Sequence, residues 1–217
     1  MPSESTDPHD RVANNQNTAL LLIDIINHFE FDDNEELLET IDEMGKHIAS
    51  LKEAAYKAGM PIIYVNDNFG KWRSDFHTVT DYVIKENTRG KHLAELLLPN
   101  DEDYFILKPK HSGFYCTPLD ILLNHLGIKT LILTGLAGNC CVLFTANDAY
   151  MRNFKLIIPK DCIGSNTRKE NDQALKQMEC ILKADTRSST EIIKEFKNMK
   201  PKKKTDDEKK SSEIIRK

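Results

Sequence analysis

Apolar residues in this chain follow two rhythms. Thr18–Ile25 reads T-A-L-L-L-I-D-I, a nearly continuous apolar run. A run of that length predicts a strand buried on both faces, as in a parallel sheet. From Asn34 to Ala58 the apolar positions fall at Leu37, Leu38, Ile41, Met44, Ile48, Leu51 and Ala55. That is the stripe of an amphipathic helix, and Gly59 stands where a left-handed residue ends one. The alternation continues with strands at Pro61–Asn66, Tyr104–Leu107, Lys129–Thr134 and Lys155–Pro159. Helices are predicted at Thr117–Leu126, Asn139–Asn153, Arg168–Leu182 and Ser189–Lys197, the first with Thr117 as N-cap and Pro118 in its first turn. Phe69–Lys85 is less regular and reads as a segment covering a site. Strand–helix alternation of this kind predicts an α/β fold, with three α/β/α layers around a mostly parallel central sheet.

Length and charge divide the chain further. It has 217 residues, 40% hydrophobic and 29% charged, which suits one globular domain with tails. Residues 1–17 are polar and read as a flexible arm, 18–198 as the domain, and 199–217 as a charged, basic tail. The net charge is −4, yet residues 197–217 hold nine basic and four acidic side chains, so the rest of the chain carries −9. An acidic body excludes nucleic acid as the domain's partner. The longest apolar run, Ala19–Ile23, is far too short for a bilayer, and no secretory signal opens the chain. Five cysteines, an odd number without C-x-x-C spacing, argue against a disulfide framework and for a reducing, cytoplasmic setting.

In an open parallel sheet, ligands bind beyond the carboxyl ends of the strands. Asp24 stands near the end of the first strand, Asn66 and Asp67 at the second, Lys108 and Lys110 at the third. After the fourth, T-G-L-A-G-N-C-C-V turns into a helix. A carboxylate, a lysine and a cysteine thus reach one edge from separate strands. A cysteine at a helix N-terminus feels free N–H groups and the positive dipole end, which favour its thiolate. An aspartate beside it can take the thiol proton and pass it to a leaving amine. Adjacent Cys140 and Cys141 point ~100° apart in a helical turn, so one faces the site and the other the core. Spacing does not choose between them. Cys116, Cys162 and Cys180 read as packing residues.

These residues carry a resemblance. T-G-L-A-G-N-C-C-V-L-F-T-A-N-D-A (134–149) resembles the T-G-V-A-T-N-x-C-V-x-x-T-A-x-D-A signature of the isochorismatase-like cysteine hydrolase superfamily. A-L-L-L-I-D-I-I-N-H-F (19–29) is similar to its first strand, and L-K-P-K-H-S-G-F-Y-C-T-P-L (107–119) to its lysine segment. The three blocks occur in order and span about Thr18 to Phe196. The resemblance implies a Rossmann-like fold and a Cys–Asp–Lys triad. Matched position by position, Cys141 is the nucleophile, Asp24 the base and Lys108 the lysine. It also implies a cis peptide at Leu136–Ala137, with the Ala137 and Cys141 N–H groups facing an oxyanion, and a homo-oligomer, dimer or tetramer, acting on a small molecule.

Departures from the pattern refine this. Gly138 replaces a threonine, Ile26 a glutamine and His28 an aspartate. Nicotinamidases of the superfamily carry a metal-binding D-x-H at the second strand; here Asp67 is followed by Phe69, and no catalytic metal or other cofactor is expected. His77 and His111 read as surface or loop residues. Phe29, Phe69 and Trp72 are the candidates for lining a substrate pocket. A retained Cys141 points to amide-type acyl transfer rather than vinyl-ether cleavage, which needs no thiol.

Overall fold

A computed structural model describes residues 17–30, 35–70, 75–85 and 88–196. The arm read at 1–17 and the tail at 199–217 lie almost wholly outside the described residues, as do Trp72 and the His77 side chain. Five parallel strands form the core sheet: β1 (Thr18–Ile23), β2 (Ile62–Asp67), β3 (Tyr104–Lys108), β4 (Thr130–Leu136) and β5 (Lys155–Ile157), in the spatial order β3-β2-β1-β4-β5. A short β6 (Ile163–Gly164) pairs with the far end of β4.

β1 lies at the centre, and all six of its residues are buried. Its side chains alternate between two apolar layers. Leu20 and Leu22 join the layer that holds α1 (Glu35–Lys57), α3 (Lys91–Leu96) and α7 (Ser189–Phe196). Ala19, Leu21 and Ile23 join the layer of α4 (Leu119–His125), α5 (Leu143–Met151) and α6 (Arg168–Leu182). This is the three-layer fold expected from the alternation. α1 ends as its sequence implies, with Gly59 at φ 71°. α6 opens on a capping box in which Thr167 and Glu170 satisfy each other's backbone N–H.

Three elements differ from expectation. α2 (Phe76–Lys85) and α3 are helices within a stretch read as irregular or left unassigned. Among the described side chains their buried apolar faces are small: Val79 and Val83 in α2, and Leu93 and Ala94 in α3. The helix expected over Asn139–Asn153 opens instead with a π-helical turn, Gly138–Val142, before α5 begins. Among the described residues, no helix is long and apolar enough to cross a membrane.

Candidate active site

Four strand ends build the site. β2 and β3 pair in register so that Asp67 lies beside Lys108, while Ile23 of β1 lies beside Gly135 of β4. Directly after Ile23, Asp24 takes a positive φ of 49°, which turns the chain at the sheet edge. Asn66 fixes that turn: its amide donates to the Ile26 carbonyl at 2.7 Å and accepts from the Ile26 N–H at 3.2 Å. Gly135 allows β4 to press against β1, since a Cβ there would stand 2.0 Å from the Ile23 carbonyl oxygen. Its φ of 108° also favours glycine. The next peptide bond, Leu136–Ala137, is cis.

Lys108 is the hub. It is wholly buried, and its Nζ lies 2.9 Å from Asp24 Oδ2, 3.3 Å from Asp67 Oδ2 and 3.4 Å from Cys141 Sγ. Asp24 is buried as well, and its other oxygen accepts from the Asp67 N–H at 2.6 Å. Burial pushes the Asp24 carboxyl up; Lys108 and hydrogen bonds from Cys141 and the Asp67 N–H offset part of that. For Lys108, burial alone would pull the ammonium down. Asp24, the Cys141 sulfur and Asp67 together outweigh it and hold the group above the ordinary lysine value.

The cysteines sit on the π turn. The N–H groups of Cys140 and Val142 both donate to the Ala137 carbonyl, at 3.0 and 3.1 Å; the second is the i→i−5 bond of a π helix. The Cys141 N–H lies between them and makes neither bond. Both thiols are half-buried, and their sulfurs lie within 4.8 Å of each other. The expectation that one of the pair faces the core is therefore corrected: the wider turn brings the two sulfurs to one side. Cys140 is drawn down to about 6, by the neighbouring Cys141 thiol first and then by His111 and Lys108. The Cys140 neighbour, burial and Asp24 push Cys141 well up. Cys141 is the one whose sulfur takes a hydrogen bond from Lys108, at 3.4 Å.

A family comparison now bears on this geometry. The isochorismatase domain matches residues 18–190. The chain belongs to the isochorismatase family. An uncharacterized isochorismatase family protein of Bacillus subtilis, YaaI, is 47% identical over 175 residues, 81% of this chain and 96% of that protein. The pyrazinamidase/nicotinamidase of Streptococcus mutans superposes with a TM-score of 0.61 at 28% identity, over 78% of this chain and 99% of that one. Ureidoacrylate amidohydrolase RutB of Methylorubrum extorquens is 45% identical over 79 residues, 36% of this chain and 32% of that protein. The chain is thus a hydrolase of the isochorismatase family.

The family's signature residues tie the lysine segment to α5. Thr145 Oγ1 accepts from the Gly113 N–H at 3.0 Å and donates to the Cys141 carbonyl at 2.7 Å; Asp148 accepts from Ser112. The departure at Gly138 is also accounted for, because a Cβ there would meet Asn171 Oδ1 at 2.5 Å. Ser165, hydrogen-bonded to Asn171, accepts the Asn139 N–H at 3.1 Å and steadies the turn from behind.

The residues at β2 do not fit a nicotinamidase-type metal. The Asp67 carboxylate is committed to Lys108 and to the Phe69 N–H, and Phe69 has no donor to offer. Phe29 is wholly buried in the α1 layer, where it packs as a core residue; Phe69 is half-buried against that layer and against His28. Sequence reasoning set Asp67 at this edge without a partner and read His111 as a surface or loop residue. Asp67 joins the charge cluster through strand register, and His111 brings Nδ1 within 4.0 Å of Cys141 Sγ. Of the three cysteines read as packing residues, Cys162 is buried, but Cys116 and Cys180 are exposed. Cys180 lies on the outer face of α6 and Cys116 in the turn that precedes α4.

Proposed function

We propose that this enzyme hydrolyses a small amide-type C–N bond through a thioester on Cys141. The observation that carries the reading is one buried ammonium, Lys108, in contact with both the Asp24 carboxylate and the Cys141 sulfur. Asp24 takes the Cys141 thiol proton as sulfur attacks the carbonyl carbon. The oxyanion faces the N–H groups of Ala137 and Cys141. The C–N bond then breaks, and Asp24 gives its proton to the departing nitrogen, which leaves as ammonia or an amine. Water next adds to the thioester with Asp24 as base; the acid leaves and the thiol is restored. A carboxyl whose pKa is raised by burial suits this shuttling. Lys108 holds the sulfur and carboxylate close and favours the negative charge the sulfur gains as its proton leaves. Phe69 lines the substrate pocket, with Phe29 buried in the α1 layer on which Phe69 packs.

The relatives support a C–N substrate. RutB is an amidohydrolase of ureidoacrylate, and the Streptococcus mutans neighbour is a pyrazinamidase/nicotinamidase. The test is a screen of small carboxamides and ureido compounds, nicotinamide included, read by ammonia release with Cys141→Ala as control. Release from at least one compound, lost in Cys141→Ala, supports the reading; release unchanged by that substitution overturns it. We further propose a cytoplasmic homo-oligomer, dimer or tetramer, working on a small molecule without cofactor, nucleic acid or membrane. All five thiols are free, as suits a reducing compartment. Size-exclusion chromatography with light scattering checks the assembly.

A further inference from the structure

The second thiol has no task in that mechanism, and neither does His111. Cys140 Sγ, Cys141 Sγ and His111 Nδ1 nevertheless converge. A ligand atom from each lies within 4.8 Å of the others, and Cys141 Sγ to His111 Nδ1 is 4.0 Å. Among the described residues, no other three histidine, cysteine or acidic side chains are so placed. We propose that these three side chains form a binding site for a thiophilic divalent cation, Zn²⁺ or Cd²⁺, that blocks the active site when filled. This rests on the catalytic reading of Cys141 only for the block, not for the binding.

The distances suit such an ion. Metal–sulfur bonds of about 2.3 Å and metal–nitrogen bonds of about 2.0 Å in a tetrahedron set sulfur and nitrogen roughly 3.6 Å apart, and the two sulfurs roughly 3.8 Å apart. Closing the present spacing needs side-chain shifts of less than about 1 Å. Two sulfurs and an imidazole are soft to borderline donors, which select Zn²⁺ and Cd²⁺ over oxygen-seeking Mg²⁺ or Ca²⁺. The exposed His111 ring, held against Phe144 at 5.5 Å, offers the approach from solvent. Charge also balances. Binding releases the protons of the Cys140–Cys141 pair and leaves two thiolates against one dication, so Lys108 still pairs with Asp24. The fourth position stays open for water. With both electron pairs of the sulfurs committed to the metal, Cys141 no longer attacks a carbonyl.

The test is titration of the whole protein with Cd²⁺, followed by the ultraviolet cadmium–thiolate charge-transfer band, without substrate. The difference between the intact protein and Cys140→Ser isolates this site from Cys116 and Cys180. We expect saturation of that difference at one Cd²⁺ per chain. We expect His111→Ala to keep the band but weaken binding by more than about tenfold, since losing even an outer partner of a ligand costs about that much. No difference between intact protein and Cys140→Ser, or unchanged affinity in His111→Ala, overturns the site and leaves the catalytic reading standing. A second arm adds Zn²⁺ to amide turnover. Cation binding as expected, with turnover unaffected at saturation, overturns the block and the role of Cys141 instead.

Discussion

Replacing Lys108 with methionine keeps the length of the side chain and removes the charge that three groups share. Asp24 Oδ2 stands 2.9 Å from the ammonium. At an effective dielectric of about 20 that contact is worth roughly 6 kcal/mol before desolvation. Asp67 is partly exposed, so water screens its share. The variant recovers the cost of burying Lys108 but strands the Asp24 carboxylate in the interior, and breaking such a pair costs about 3–5 kcal/mol. With an m-value of about 2 kcal/mol/M, the urea midpoint at neutral pH should fall by roughly 2 M. The sign with pH follows from Asp24. Its folded-state pKa is already raised by burial, and Lys108 is the charge that restrains that rise. Without Lys108 the carboxyl takes up a proton more readily when folded than when unfolded. The stability this proton confers is fully present below the ordinary aspartate pKa of about 4 and is lost as pH rises through the folded value. The deficit of Lys108→Met should thus be small near pH 4 and grow toward neutrality. Urea unfolding at both pH values measures it. A deficit independent of pH, or below about 1 kcal/mol at neutral pH, would refute the reasoning.

Other outcomes follow from the same geometry. Gly135→Ala should unfold at a markedly lower temperature or fail to fold, a loss of about 3 kcal/mol or more, because its Cβ meets the Ile23 carbonyl. Gly127→Ala, at a similarly positive φ but with open space around it, should lose only about 1 kcal/mol in the same thermal scan. Alkylation at the Cys140–Cys141 pair, mapped by peptide mass, should rise with pH through about 6; a first inflection at the ordinary thiol value contradicts the lowered Cys140 thiol. A chain ending at Met199 should turn over as the full chain does, since the family match ends at residue 190 and α7 at Phe196.

Much of the fold was legible because its strongest signals are local. The apolar run at β1 has no reading but a doubly buried strand, and the stripe of α1 fills a helix face over 23 residues. α2 and α3 escaped notice because, among the described side chains, each buries just two apolar residues. β6 is two residues long, too short for any periodicity. The π turn carries no separate signal, and it decides that both sulfurs share one side. Asp24, Lys108 and Cys141 were recognisable from sequence blocks. That Asp67 sits beside Lys108 is a fact of register between β2 and β3, and His111 reaches Cys141 across a loop that no spacing rule describes.

The central claim is that Cys141, and not its neighbour, carries the acyl group. Acid quench during turnover of an amide found in the screen, followed by mass spectrometry of the peptide holding both cysteines, tests it directly. The adduct should appear in the unmodified protein, persist in Cys140→Ala and vanish in Cys141→Ala. An adduct that survives in Cys141→Ala, or is lost in Cys140→Ala, would contradict the account.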